Sequence, residues 1–195
     1  MRHIIVVDCE TNGLDPERHQ AVEVAWWNLA TDERGVFVPT HSPADILAAA
    51  DIRALQVNRY IDRLPDAEQD RSGAGTDLLH RQFRTPAGKF VEQDVAHTLA
   101  GSNPRFDAGM LAKLFATTGA TEDFDDEPWH HRLLDLGAYA MGVLGLDEVP
   151  GLARVCELLH VSAPDHTAEG DVTATGLCFR KLMDLSQTRS DRGAS

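Results

Sequence analysis

The first strongly patterned stretch of the chain is an apolar run, Ile4 to Val7, that ends in Asp8-Cys9-Glu10. Four β-branched residues in a row predict a strand that is buried on both faces. Because side chains alternate along a strand, we expect Asp8 and Glu10 on one side and Cys9 on the other. Adjacent carboxylates repel each other and are costly to desolvate, so a divalent cation between them is the simplest prediction.

We considered two other interpretations of the same stretch, an acidic turn and a calcium-binding loop. A strand that simply ends in an acidic turn explains these residues equally well when they are taken alone. A calcium-binding loop matches at Asp8, Glu10, Asn12 and Gly13. It fails where a bidentate Glu is needed and His19 stands, and a strand precedes it where a helix is required.

Two more strand-like segments follow, at 21–29 and 35–39, and a turn-like segment at 31–35 joins them. Three strands with short links predict an antiparallel meander. Trp26 and Trp27 must face opposite sides of the second strand, so at least one belongs to the core. We favour simple packing for both over an exposed contact surface.

The middle of the chain has a weaker pattern. It predicts one or two helices from Ala44 to about Leu64, a polar loop at 65–76 and a short helix at 77–83. Three arginines in the first of these segments could guide a phosphate backbone, but we favour a solvated helix face for Arg53, Arg59 and Arg63.

A strand at 95–101 leads directly into a helix start. Asn103 suits the N-cap and Pro104 the first helical position, and an apolar stripe follows. Asp107 lies in the first turn, where the helix dipole alone would favour a carboxylate.

The last part of the chain predicts a strand at 130–135, helices at 136–143 and from about 150, and a long helix from 165 to about 185. That helix begins with His166 and, five residues later, Asp171, whose small neighbours let the carboxylate face inward. We interpret the acidic run 122–127 as a solvated loop, and the adjacent His130 and His131 as structural residues.

Length, charge and cysteine content narrow the classes of protein. With 195 residues, we expect one domain at 1–185 and a polar, disordered tail at 186–195. A net charge of -13 argues against a basic face that holds long duplex nucleic acid. Three dispersed cysteines predict buried thiols in a reducing cytoplasm, and neither a signal peptide nor a membrane span is expected.

The order of these patterns resembles the DEDDh family of 3′-to-5′ exonucleases, which have a ribonuclease H-like fold. Asp8 and Glu10 match its first motif, Asn103 and Asp107 its second, and His166 and Asp171 its third. Two departures are visible. Ser102 stands where the family often has a His, and 62–97 has no recognisable counterpart.

The resemblance implies an α/β domain with a mixed five-stranded sheet, strand order 3-2-1-4-5, flanked by helices. It also implies an enzyme that removes nucleoside monophosphates from single-stranded DNA or RNA 3′ ends. The four carboxylates of Asp8, Glu10, Asp107 and Asp171 would hold two Mg²⁺ or Mn²⁺ ions, since oxygen ligands suit hard cations and argue against zinc. His166 would accept the proton of the attacking water.

Further substrate contacts follow from the same resemblance. Thr11 and its backbone would lie beside the terminal nucleotide, Leu14 would wedge against its base, and Asn103 and Arg105 would face the substrate. Two alternatives stay open: an oligoribonuclease-like enzyme that acts on very short RNA, and a non-catalytic, polymerase-associated module of the same fold. A polymerase or repair partner would fit the exonuclease.

Overall fold

The computed structural model describes residues 2–85, 95–118 and 127–193. The strands are β1 (Ile4–Thr11), β2 (Ala21–Asn28), β3 (Arg34–Pro39), β4 (Gln69–Asp70), β5 (Arg84–Thr85), β6 (Val95–Ala96), β7 (Thr98–Gly101) and β8 (Leu134–Asp135). The helices are α1 (Pro43–Ala49), α2 (Ile52–Val57), α3 (Tyr60–Arg63), α4 (Ala74–Gln82), α5 (Pro104–Thr118), α6 (Leu136–Leu144), α7 (Leu152–Leu159) and α8 (Ala168–Gly193).

Within these residues the main sheet has six strands in the order β4-β3-β2-β1-β7-β8. The first three strands form the predicted antiparallel meander, and β7 and β8 continue the sheet in parallel. The predicted order 3-2-1-4-5 is therefore confirmed, with β7 and β8 as strands four and five. The prediction of five strands was incomplete, because β4 adds a short edge beside β3 in a segment predicted as loop.

The predicted strand at 95–101 is broken at His97. The half before it, β6, pairs with β5 in a separate two-stranded sheet, and the half after it, β7, pairs with β1. His97 makes the break because its ring stacks on His3 at 4.3 Å, while its backbone N–H donates to the Phe83 carbonyl at 2.7 Å.

The predicted strand at 130–135 is shorter than expected. Only Leu134–Asp135 pairs with β7, because the N–H of His130 donates instead to the His97 carbonyl, at 2.8 Å. The rings of His130 and His131 pack on each other at 4.1 Å, which supports the structural interpretation of this pair.

The two faces of the sheet are covered by different helices. Trp27 packs on one face with α6, α7 and α8, and Trp26 packs on the other with α4 and α5. Both rings are buried, with 0% and 2% exposure respectively, so simple packing is confirmed. The three cysteines are free and buried, as expected of thiols.

The segment predicted as one or two helices forms three. The side chain of Asp51 caps α2 by accepting the Arg53 N–H at 2.9 Å, and Arg59 takes a left-handed backbone with φ 51° before α3 begins. Left-handed residues interrupt helices, and no Gly or Pro marks this break in the sequence.

Helix α8 extends past the predicted end near 185. The segment expected to be a disordered tail is helical as far as Gly193, and the Arg189 side chain donates to the Val143 carbonyl. The acidic run 122–127 lies outside the described residues except for Glu127. No helix in the described part of the chain has the length and apolar content to span a membrane.

Candidate metal centre

Three acidic side chains meet where β1 passes the start of α8. Oxygen atoms of Asp8, Glu10 and Asp171 lie within 4.8 Å of one another. Asp8 and Glu10 share the face of β1 that packs against α8, while Cys9 belongs to the core on the other face. The predicted alternation places Asp8 and Glu10 on this face, and the packing of α8 against it brings Asp171, about 160 positions further along the chain, beside them.

Asp107 lies beside this trio of Asp8, Glu10 and Asp171 without belonging to it. The carboxylate is buried in the first turn of α5, and its Oδ1 accepts the Cys9 N–H at 3.0 Å. After burial, the charge of Asp107 is the largest cause of the raised pKa of Asp8. All four predicted carboxylates thus act on the same small region.

Burial raises the pKa of each of these carboxyl groups, and repulsion from neighbouring carboxylates adds to the rise for Asp8 and Glu10. Burial is the main cause for Glu10, whose pKa rises to about 7, and the charges of Asp171 and Glu23 add to it. Burial also raises the pKa of Asp107 to about 7 and that of Asp8 well above its ordinary value. Carboxylate oxygens crowded together in this way fit a hard divalent cation such as Mg²⁺ or Mn²⁺.

The segment before α8 wraps around the carboxylate of Asp171. The N–H groups of Asp165 and His166 both donate to Asp171 Oδ1, at 3.0 and 3.2 Å. Burial raises the pKa of Asp171, and these two donors and the charge of His166 oppose the rise. The same bonds hold His166 in a left-handed backbone, φ 59°, and its side chain is exposed beside the trio.

The four predicted substrate contacts have different environments. Thr11 is buried and its hydroxyl donates to the Gly13 carbonyl at 2.8 Å. Leu14 is 75% exposed at the tip of the loop after β1. Asn103 and Arg105 are exposed at the start of α5, where Pro104 takes the predicted first helical position.

Three further side chains adjoin the trio and were not predicted there. Glu23 of β2 lies opposite Glu10 in the strand register, Arg63 forms an ion pair with Glu23 at 2.7 Å, and Asn58 hydrogen-bonds Glu10. The sequence did contain one indication of Glu23, because it is an acidic residue at an inward position of the otherwise apolar second strand. The expectation that Arg63 is solvated was wrong, because only 18% of its side chain is exposed.

No family model matches the chain. Solved structures that resemble it include the E. coli exonuclease I complex with a dA16 oligonucleotide, with a TM-score of 0.68 and 19% identity over 97% of this chain and 42% of that chain. The chain has the ribonuclease H-like fold of exonuclease I.

Two other exonuclease I structures resemble this chain to a similar degree. The zinc-ion-bound E. coli complex with single-stranded DNA has a TM-score of 0.67 and 19% identity, over 97% of this chain and 42% of that one. The structure of SSB and exonuclease I with the inhibitor CFAM has a TM-score of 0.67 and 19% identity, over 97% and 43%. This chain therefore spans less than half the length of these proteins.

Proposed function

We propose that this chain is a metal-dependent 3′-to-5′ exonuclease that hydrolyses phosphodiester bonds at single-stranded 3′ ends and releases nucleoside monophosphates. The observation that carries the proposal is the trio of Asp8, Glu10 and Asp171, with oxygens within 4.8 Å of one another and His166 beside them. The fold is that of exonuclease I, which has been solved with single-stranded DNA.

The carboxylates of the trio, together with Asp107, would hold two divalent ions, Mg²⁺ or Mn²⁺. When bound, the ions would supply activation of the attacking water and stabilisation of negative charge on the leaving oxygen. Zinc belongs in the test as well, since an exonuclease I structure contains a zinc ion.

The chain itself would supply proton transfer and positioning. His166 would accept the proton of the attacking water, because an exposed imidazole beside the trio can act as a general base. Asp171 would hold the segment before α8 in place through the hydrogen bonds that it accepts from the N–H groups of Asp165 and His166. Leu14 would contact the terminal base, with Thr11 alongside, and Asn103 and Arg105 would face the strand.

The net charge of -13 favours short or frayed single strands over long duplex, because cations in the site must supply most of the attraction for phosphate. A polymerase or repair protein would be the natural partner of such an activity in the cytoplasm.

The test is a product ladder from end-labelled 20-mers of single-stranded DNA and RNA, and from dinucleotides, with Mg²⁺, Mn²⁺, Zn²⁺ or EDTA. We expect mononucleotide release that requires metal and is lost in a folded Glu10→Ala variant. Glu148→Ala is the matched control, since it removes one carboxylate at an exposed site in a loop. An undiminished rate in Glu10→Ala would refute the assignment.

The same ladder separates the alternatives. Turnover confined to RNA dinucleotides would indicate an oligoribonuclease-like enzyme. A folded protein that releases no product with any of the three ions would indicate a non-catalytic module of this fold.

A further inference from the structure

Glu23 joins three elements of the fold at a single oxygen atom. It faces α8 from β2, with 12% of its side chain exposed. Its Oε2 accepts hydrogen bonds from Arg63 Nη2 at 2.7 Å and Nη1 at 3.3 Å, and from the backbone N–H of Ala168 at 3.0 Å. Glu23 therefore connects the central sheet to α3 and to the first residue of α8.

Arg63 extends this connection to the end of β1. Its Nε donates to the Asn58 carbonyl at 3.2 Å, and Asn58 Nδ2 donates to the Thr11 carbonyl at 2.9 Å. Asn58 also hydrogen-bonds Glu10, which lowers the pKa of Glu10 against the effect of burial. The strand that carries two carboxylates of the trio is thus bound to the same arginine as Glu23.

The bond from Ala168 matters because of what precedes it. The first N–H groups of a helix have no partner within the helix, and Glu23 satisfies the one at Ala168. On the other side of Thr167, the N–H of His166 is held by Asp171. The short segment that carries the imidazole is therefore fixed at both ends, and Glu23 supplies one of the two attachments.

The positive charge of Arg63 offsets the repulsion between Glu23 and the carboxylates of the trio. A carboxylate beside the trio adds repulsion, and the charge of Glu23 does raise the pKa of Glu10, whereas that of Arg63 lowers it. A largely desolvated ion pair gives little net stability, because the cost of desolvation offsets the attraction. The position of the Glu23–Arg63 ion pair next to the trio indicates that the pair holds neighbouring groups in place rather than adding to stability.

We infer that Glu23 and Arg63 form a positioning pair, which fixes the start of α8 and through it the imidazole of His166 relative to the carboxylates of the trio. The inference rests on the proposed exonuclease function for its catalytic consequence. Neither residue needs to touch substrate, so both act through His166.

The first test needs no catalysis. We would measure amide hydrogen exchange at Ala168 and the ring resonances of His166 in metal-free protein, for Glu23→Ala, Glu23→Gln and Arg63→Met. Asp32→Asn is the matched control. Like Glu23, Asp32 connects β2 to α8, because it lies in the turn after the far end of β2 and pairs with Arg180 of α8 at 2.9 Å.

In Glu23→Ala we expect exchange at Ala168 to accelerate at least tenfold and the His166 resonances to broaden. In Arg63→Met we expect a smaller change of the same kind. Glu23→Gln keeps an oxygen acceptor and should restore most of the protection, and Asp32→Asn should leave both signals unchanged. Equal acceleration at Ala168 and at Phe179, in the middle of α8, would mean general destabilisation and would overturn the inference.

The second test uses single-stranded substrate at saturating metal. For Glu23→Ala we expect kcat to fall about tenfold and KM to stay within twofold, with kcat largely restored in Glu23→Gln. An unchanged kcat, or an equal loss in Asp32→Asn, would also overturn it. If the wild-type protein has no nuclease activity, the proposed function fails, while hydrogen exchange still decides whether Glu23 holds the start of α8.

Discussion

Replacing Glu10 by Gln should stabilise the metal-free protein at neutral pH, although it should abolish the proposed activity. Burial and neighbouring charges raise the pKa of Glu10 from an ordinary 4.5 to about 7. At 1.36 kcal/mol per pKa unit, the ionised carboxylate costs about 3 kcal/mol, and about 2 kcal/mol once solvent screening of the partly exposed group is allowed for.

The sign of the pH dependence follows from proton binding. Because the pKa of Glu10 is higher in the folded protein, the folded state binds more protons than the unfolded state between pH 4.5 and about 7. Stability therefore falls as pH rises through this window. The variant should match wild type near pH 4 and exceed it by about 2 kcal/mol at pH 8.

Urea unfolding in EDTA at pH 4, 6 and 8 measures this difference, with Glu148→Gln as the control for net charge. Saturating Mg²⁺ or Mn²⁺ should reverse the order at pH 8. An ion at one hundred times its Kd adds about 2.7 kcal/mol to wild type, which keeps all its ligands. A stability difference between Glu10→Gln and wild type that does not change with pH would refute this reasoning.

Three further predictions concern other parts of the structure. His166→Ala should slow hydrolysis by about 100-fold while calorimetry shows metal binding largely kept; loss of the metals would make His166 a ligand instead. Gly176→Ala should cost about 2 kcal/mol in urea unfolding, because the added Cβ would lie 2.2 Å from Trp27 Cε3, whereas Gly142→Ala, with open space around it, should stabilise. Leu14→Ala should leave stability within about 0.5 kcal/mol and raise KM for single strands several-fold, and an unchanged KM would exclude the proposed base contact.

The sequence was most informative where periodicity and motif coincide. Alternation alone placed Asp8 and Glu10 on one face of β1, and short links predicted the antiparallel meander of the first three strands. The full strand order was implied by the resemblance to a known family. The convergence of Asp107 and Asp171 on the same region required the resemblance to a known family, since neither spacing nor hydrophobic pattern relates residues so far apart.

What the sequence missed depended on tertiary contacts. The break at His97 arises from its stacking on His3, and the break at Arg59 from a left-handed residue that no Gly announces. Arg63 looked like a surface cation because its partner, Glu23, is on a different element 40 positions away. Local sequence patterns do not show which distant residues will form such pairs.

Among residues 2–85, 95–118 and 127–193, the main sheet ends on both sides in strands of only two residues, β4 and β8. Each of these edge strands offers another chain very few N–H and C=O groups with which to extend the ladder. On the β4 side, the remaining edge is the part of β3 that β4 does not pair with, residues 34–37. In a concentrated solution, contacts between copies through the ends of the sheet would be short, and the net charge of -13 should keep the copies apart at low ionic strength.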